Sequence, residues 1–143
     1  MCMLYDTSIK DKETKQVIDS FLGRPYRFLD LFKQGVIGSS RIEITSYSKL
    51  FVKVMSQRKQ AVFANISLRP KGIVVIMNIR LSNYSWVIPY HYLSIFKTDV
   101  LVIHGQGEYL KLKIEGNQNK RLIEKILEYK QEVLENHETP SMG

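Results

Sequence analysis

The stretch VFANISLRPKGIVVIMNI, residues 62–79, decides the fold. In its first half Val62, Ala64, Ile66 and Leu68 alternate with Phe63, Asn65, Ser67 and Arg69, the period of two that a half-buried strand requires. Pro70-Lys71-Gly72 then breaks the run. Proline fixes one turn dihedral and glycine tolerates positive φ, so a hairpin is expected there. Residues 73–79 are nearly continuous β-branched and aliphatic side chains, as in a central strand.

The same alternation continues outward. Upstream, Leu50, Val52 and Val54 alternate with Lys49, Phe51 and Lys53, which reads as a strand. Downstream, Tyr84, Trp86 and Ile88 share one face, and Pro89 ends that strand. Residues 92–97 and 100–104 read as two short strands. A turn over Gly105-Gln106-Gly107-Glu108 leads to a last one, in which Leu110, Leu112 and Ile114 point inward. That makes seven strands over residues 49–114. A helix is expected over 120–135, where Leu122, Ile126, Tyr129 and Val133 recur at helical spacing and Ile123, Leu127 and Leu134 widen the stripe. Asn117 and Asn119 are its candidate caps.

The first forty residues have a different pattern. Residues 11–22 fit a short amphipathic helix, Gly23 sits where a C-terminal glycine belongs, and Pro25 suits the first turn of a second helix carrying Phe28, Leu29, Leu31 and Phe32. This helical pair must dock, either on the sheet or against another copy. Residues 41–46 alternate Ile42 and Ile44 with Arg41, Glu43 and Thr45, an extra strand or the first half of a long bent one. The expected organisation is an N-terminal helical extension over 1–40, one domain over 41–136 and a polar tail over 137–143.

Composition narrows the function classes. With 143 residues, 44% hydrophobic and 24% charged, the chain suits one globular domain with a sizeable core. No apolar run reaches the roughly 20 residues of a spanning helix, and the N-terminal segment has no basic start and apolar centre of a secretory signal. A cytoplasmic protein, in reach of the inner membrane face, is expected. One cysteine, Cys2, excludes an internal disulfide and a cysteine-rich zinc site. The histidines, His91, His104 and His137, lack the i, i+4 spacing of a helical metal pair. Gly105-Gln106-Gly107 is too short for a dinucleotide loop and leads into a strand. The serines lack a companion base. The chain is therefore expected to be no enzyme and to need no cofactor or metal.

Charge is the strongest functional signal. Formal net charge is +7, and no Asp or Glu occurs between Glu43 and Asp99, a stretch holding Lys49, Lys53, Arg58, Lys59, Arg69, Lys71, Arg80 and Lys97. Such a surface attracts anions. Lysines on strand faces also blunt edge-to-edge aggregation, which is the plainer explanation.

Seven short strands followed by one amphipathic helix is the element order of the pleckstrin-homology superfold, and the chain resembles its GRAM-like and bacterial versions. The local match runs through Ala64-Asn65-Ile66-Ser67-Leu68, Lys71-Gly72-Ile73 and Val87-Ile88-Pro89-Tyr90 before Leu93-Ser94-Ile95. The resemblance implies an α+β protein, a seven-stranded bent antiparallel barrel or sandwich capped by the C-terminal helix, here with two short N-terminal helices added. It also implies that the loops at 56–60, 80–83 and 105–108 cluster, so that Arg58, Lys59 and Arg80 converge near Lys53. The second strand, with no basic residue before Arg69, departs from the phosphoinositide-binding pattern. The expected function is a binding or scaffolding module for a protein partner or a second copy, or for another anionic partner. An anionic lipid headgroup and a single-stranded nucleic acid are the alternatives. Phe51 and Phe63, opposite the main apolar rows, are candidate exposed aromatics for such a surface.

Overall fold

The computed structural model describes residues 4–8, 12–25, 38–114, 117 and 119–138. It is an α+β structure. The strands are β1 (Leu4–Asp6), β2 (Ile42–Tyr47), β3 (Phe63–Arg69), β4 (Gly72–Ile79), β5 (Ser82–Pro89), β6 (Leu93–Lys97), β7 (Val100–Gly105) and β8 (Glu108–Lys113). The helices are α1 (Lys12–Leu22), the single-turn α2 (Val52–Met55) and α3 (Lys120–Glu138). All strand pairs are antiparallel, in the spatial order β1-β5-β4-β3-β2-β8-β7-β6.

Strand β2 links the two halves of that order. Its first residues pair with β3 (Ile42 with Ala64) and its later ones with β8 (Tyr47 with Leu110), and the register shifts between Ile44 and Ser46. A bulge of this kind bends a strand. Inward residues from both halves, such as Ile66, Ile73, Trp86, Leu101, Ile103 and Leu112, join one core with Leu122 and Ile126 of α3. The stripe read for the C-terminal helix is therefore the face it buries, except that Leu127 remains 47% exposed. Lys130 Nζ of α3 also donates to the Leu93 carbonyl. Asn119 does not cap α3 with its side chain. Its Oδ1 accepts the Ser40 N–H (2.9 Å), while its main-chain carbonyl accepts the Ile123 N–H (3.0 Å).

The β3–β4 hairpin forms as expected, but Gly72 has a different role from the one expected. Its φ is not positive; it is the first residue of β4, and a Cβ there would lie 2.3 Å from the Ile88 carbonyl oxygen. The requirement is for close backbone approach.

Two strand expectations are corrected. Among the described residues the count is eight: Leu4–Asp6 adds an edge strand to β5 (Tyr5 opposite Ser85) ahead of the expected N-terminal helices, and Ile42–Tyr47 is a strand of its own and not the first half of a longer one. And residues 50–54 are not a strand: a 3₁₀ turn (Lys49–Phe51) runs directly into α2. Phe51, Val54 and Met55 are buried while Val52 and Lys53 face out, the i, i+3, i+4 spacing of a helix. The Glu108 carboxylate holds the start of this turn, accepting from the Leu50 N–H (3.0 Å) and the Ser48 hydroxyl (2.9 Å).

Helix α1 packs on the outer face of the sheet, with Ile18 and Leu22 against Val74 and Val87. Gly23 ends it at φ +81°, its N–H donating to the Asp19 carbonyl (2.8 Å), as its position predicts. The second N-terminal helix expected from residue 25 onward lies, beyond its first residue, outside the described residues.

Candidate functional site

The basic residues singled out from sequence sit on the β2–β3 connection and the β4–β5 turn. After α2 the chain turns through Ser56 and Gln57 and reaches β3 at Phe63, so Arg58, Lys59 and Gln60 lie on this connection beside the end of β4. Arg80 and Leu81 form a two-residue turn between the paired Ile79 and Ser82. Arg80 adopts a left-handed conformation, φ +57°.

These loops share one open cleft of about 390 Å³, lined by Arg58, Lys59, Gln60, Asn78, Arg80 and Leu81 among others. Among the described residues no carboxylate lines it. Lys53 is exposed on α2, outside the cleft lining. Among the described residues no ion pair engages Lys53, Arg58, Lys59 or Arg80. Arg58 is the anchored member: its Nη1 donates to the Met55 carbonyl (2.7 Å) and the Tyr47 hydroxyl (3.2 Å), and its guanidinium lies 5.6 Å from the Tyr47 ring centre. Its Nε and Nη2 donors bond to no protein atom among the described residues. The third loop of the expected cluster, Gly105-Gln106-Gly107-Glu108, does not line the cleft, since Glu108 is turned to Ser48 and Leu50.

The aromatic candidates fare differently. Phe51 is fully buried, edge-on to Trp86 with ring centres 5.0 Å apart, so it is a core residue and not a contact surface. The helical turn at 49–55 rotates it inward. Phe63 is half-buried beneath the Arg41 guanidinium, 4.3 Å above its ring. The sequence reading missed Leu81, which is 100% exposed at the tip of its turn and directly follows Arg80. The available signal was a two-residue apolar-cationic turn between strongly apolar strands.

His91 and His104 are exposed, and the side chain of His137 lies outside the described residues. Among the described residues no group of three or more His, Cys, Asp or Glu could hold a metal ion, and no helix is long and apolar enough to cross a membrane. Comparison with family models, with curated proteins and with solved structures found no match.

Proposed function

We propose that the chain is a non-enzymatic, pleckstrin-homology-like binding module that engages an anionic partner through the rim formed by Arg58, Lys59 and Arg80, with Lys53 nearby. The pleckstrin-homology reading is supported by β2 to β8 running as seven antiparallel strands, with the bulged β2 joining two half-sheets, followed directly by the helix that covers their core. The observation that carries the function is the cleft itself: three cations from two separate loops line it and, among the described residues, no acid does. Fixed like charges held together raise the local concentration of anions and their encounter rate.

The test uses a labelled polyglutamate as a simple polyanion. Arg58→Glu/Lys59→Glu/Arg80→Glu should abolish most of its binding, while Lys97→Glu, on β6, should not. Equal losses for both variants would reduce the rim to part of a general positive surface.

A second reading, an anionic membrane surface, is favoured by Leu81, whose side chain is wholly exposed beside Arg80. A bare aliphatic tip next to cations suits a headgroup boundary, where apolar burial adds to charge attraction. Flotation with phosphatidylserine-containing vesicles would then depend on Leu81 as well as on the cations, whereas a soluble acidic partner gives no vesicle binding.

A further inference from the structure

A row of rings occupies the outer face of the β6–β7–β8 half, apart from both the core and the basic cleft. Ser94, His104 and Tyr109 stand side by side across the three strands, and Phe96, Val102 and Lys111 form the adjacent row. Their neighbours Leu93, Leu101, Ile103, Leu110 and Leu112 are buried, so these side chains face out. Phe96 is 55% exposed and His104 and Lys111 are exposed. The Phe96 and His104 ring centres are 5.9 Å apart, those of His104 and Tyr109 are 5.7 Å apart, and Lys111 Nζ lies 5.8 Å from the Tyr109 ring centre.

We propose that this face is a platform for single-stranded nucleic acid, with bases stacked on Phe96, His104 and Tyr109 and the phosphate chain drawn by Lys111. Phe96 meets His104 edge-on (79°), and His104 meets the half-buried Tyr109 at 41°, so the rings present separate, tilted faces, and every base has a π-face to set against one of them. Lys111 supplies the sign of charge a phosphate chain complements. An acidic peptide would satisfy Lys111 but would leave the rings unused. Cross-strand aromatic pairs also stabilise a sheet on their own, so the test must read base stacking and not folding. The platform is independent of the cleft at Arg58, Lys59 and Arg80.

The experiment compares a labelled decathymidylate with an abasic decamer of the same phosphate number, by fluorescence anisotropy at low and moderate salt. The full chain should bind decathymidylate at least about five-fold more tightly than the abasic strand. Phe96→Thr and Tyr109→Thr, which keep strand-forming residues, should each weaken decathymidylate by roughly five- to hundred-fold with little change for the abasic strand. Lys111→Glu should weaken both strands and flatten the salt dependence. Arg58→Glu/Lys59→Glu/Arg80→Glu should leave the difference between the strands intact. Thermal melts of each variant separate lost binding from lost fold, and His104→Thr provides a third probe if either aromatic variant melts early. Equal affinity for the two strands, or polyglutamate competing as well as unlabelled decathymidylate, would overturn the proposal, the latter in favour of an acidic polypeptide.

Discussion

The Phe51 ring meets the Trp86 indole edge-on, centres 5.0 Å apart and planes at 76°, with both side chains fully buried. A residue of the short helical connection thus reaches the heart of the sheet. Edge-to-face pairs add to ordinary burial, so Phe51→Ala should destabilise by about 3–5 kcal/mol, read as a drop in the urea midpoint without a change of slope. An exposed Phe51 on a strand would make the same substitution nearly silent. A near-zero effect would therefore return residues 49–55 to the strand reading.

That position also marks where the sequence stops being legible. Leu50, Val52 and Val54 match a strand, while Phe51, Val54 and Met55 match a helix; a short apolar run satisfies both periods, and only the tertiary seat decides. Residues 63–113, α1 and α3 were readable because their runs are long or their faces strongly divided. The edge strand β1 has three residues, too few to show any period. The cationic character of the rim was legible from the missing acids. Which cations meet in space depends on two turns, and whether Phe63 or Leu81 is covered depends on what packs over it.

Gly72 lets β4 approach β5 and α1 at once. A Cβ there would lie 2.3 Å from the Ile88 carbonyl oxygen, 2.5 Å from Leu22 Cδ2 and 2.8 Å from Pro89 Cα. Two of the three obstacles are backbone and cannot rotate away. Gly72→Ala should cost about 2–3 kcal/mol or more, seen as a lowered Tm, and adding Leu22→Ala should fail to rescue it.

Arg69 ties α1 to the sheet. Its Nη1 donates to Asp19 Oδ1 (3.1 Å) and to the Gly23 carbonyl (2.8 Å), and the two side chains are only 14% and 22% exposed. Asp19→Ala removes one acceptor, whereas Arg69→Ala also leaves the Gly23 carbonyl unpaired. Arg69→Ala should therefore be the worse of the two, by about 1 kcal/mol. Hydrogen exchange should speed up in residues 12–22 before it does in β4. Uniform acceleration across the sheet would mean that α1 has no separate docking step.

Asp6 fastens the edge strand. Its Oδ1 accepts from the Ser8 hydroxyl (2.6 Å) and the Ser8 N–H (3.0 Å), and Ser8 Oγ in turn accepts the Asn83 N–H (2.9 Å). The Ser8 hydroxyl, then the Ser8 N–H, hold the Asp6 carboxyl below its ordinary value of 3.8. A carboxylate with a lowered folded-state pKa contributes stability that is present above the unfolded value and lost as pH falls through the folded one. The stability gap between wild type and Asp6→Asn should be open at neutral pH and close below about pH 4. A gap that stays constant to low pH would remove the carboxylate from the account.

If the proposed rim binds an anion, Arg80 should set binding against stability. At φ +57° a side chain crowds its own backbone, a cost of roughly 1–2 kcal/mol that glycine avoids, partly offset by glycine's greater freedom in the unfolded chain. Arg80→Gly should therefore raise stability by about 0.5–1 kcal/mol, measured as an increased Tm. It should also weaken polyglutamate binding, because it removes one of the three cations lining the cleft. Arg80→Asn, which tolerates the left-handed region but carries no charge, should share the binding loss. A gain in stability together with a loss of affinity is the trade expected of a residue kept for binding. If Arg80→Gly gains stability and loses no affinity for polyglutamate, the arginine is a tolerated accident of the turn, and the cleft must be assigned to Arg58 and Lys59 alone.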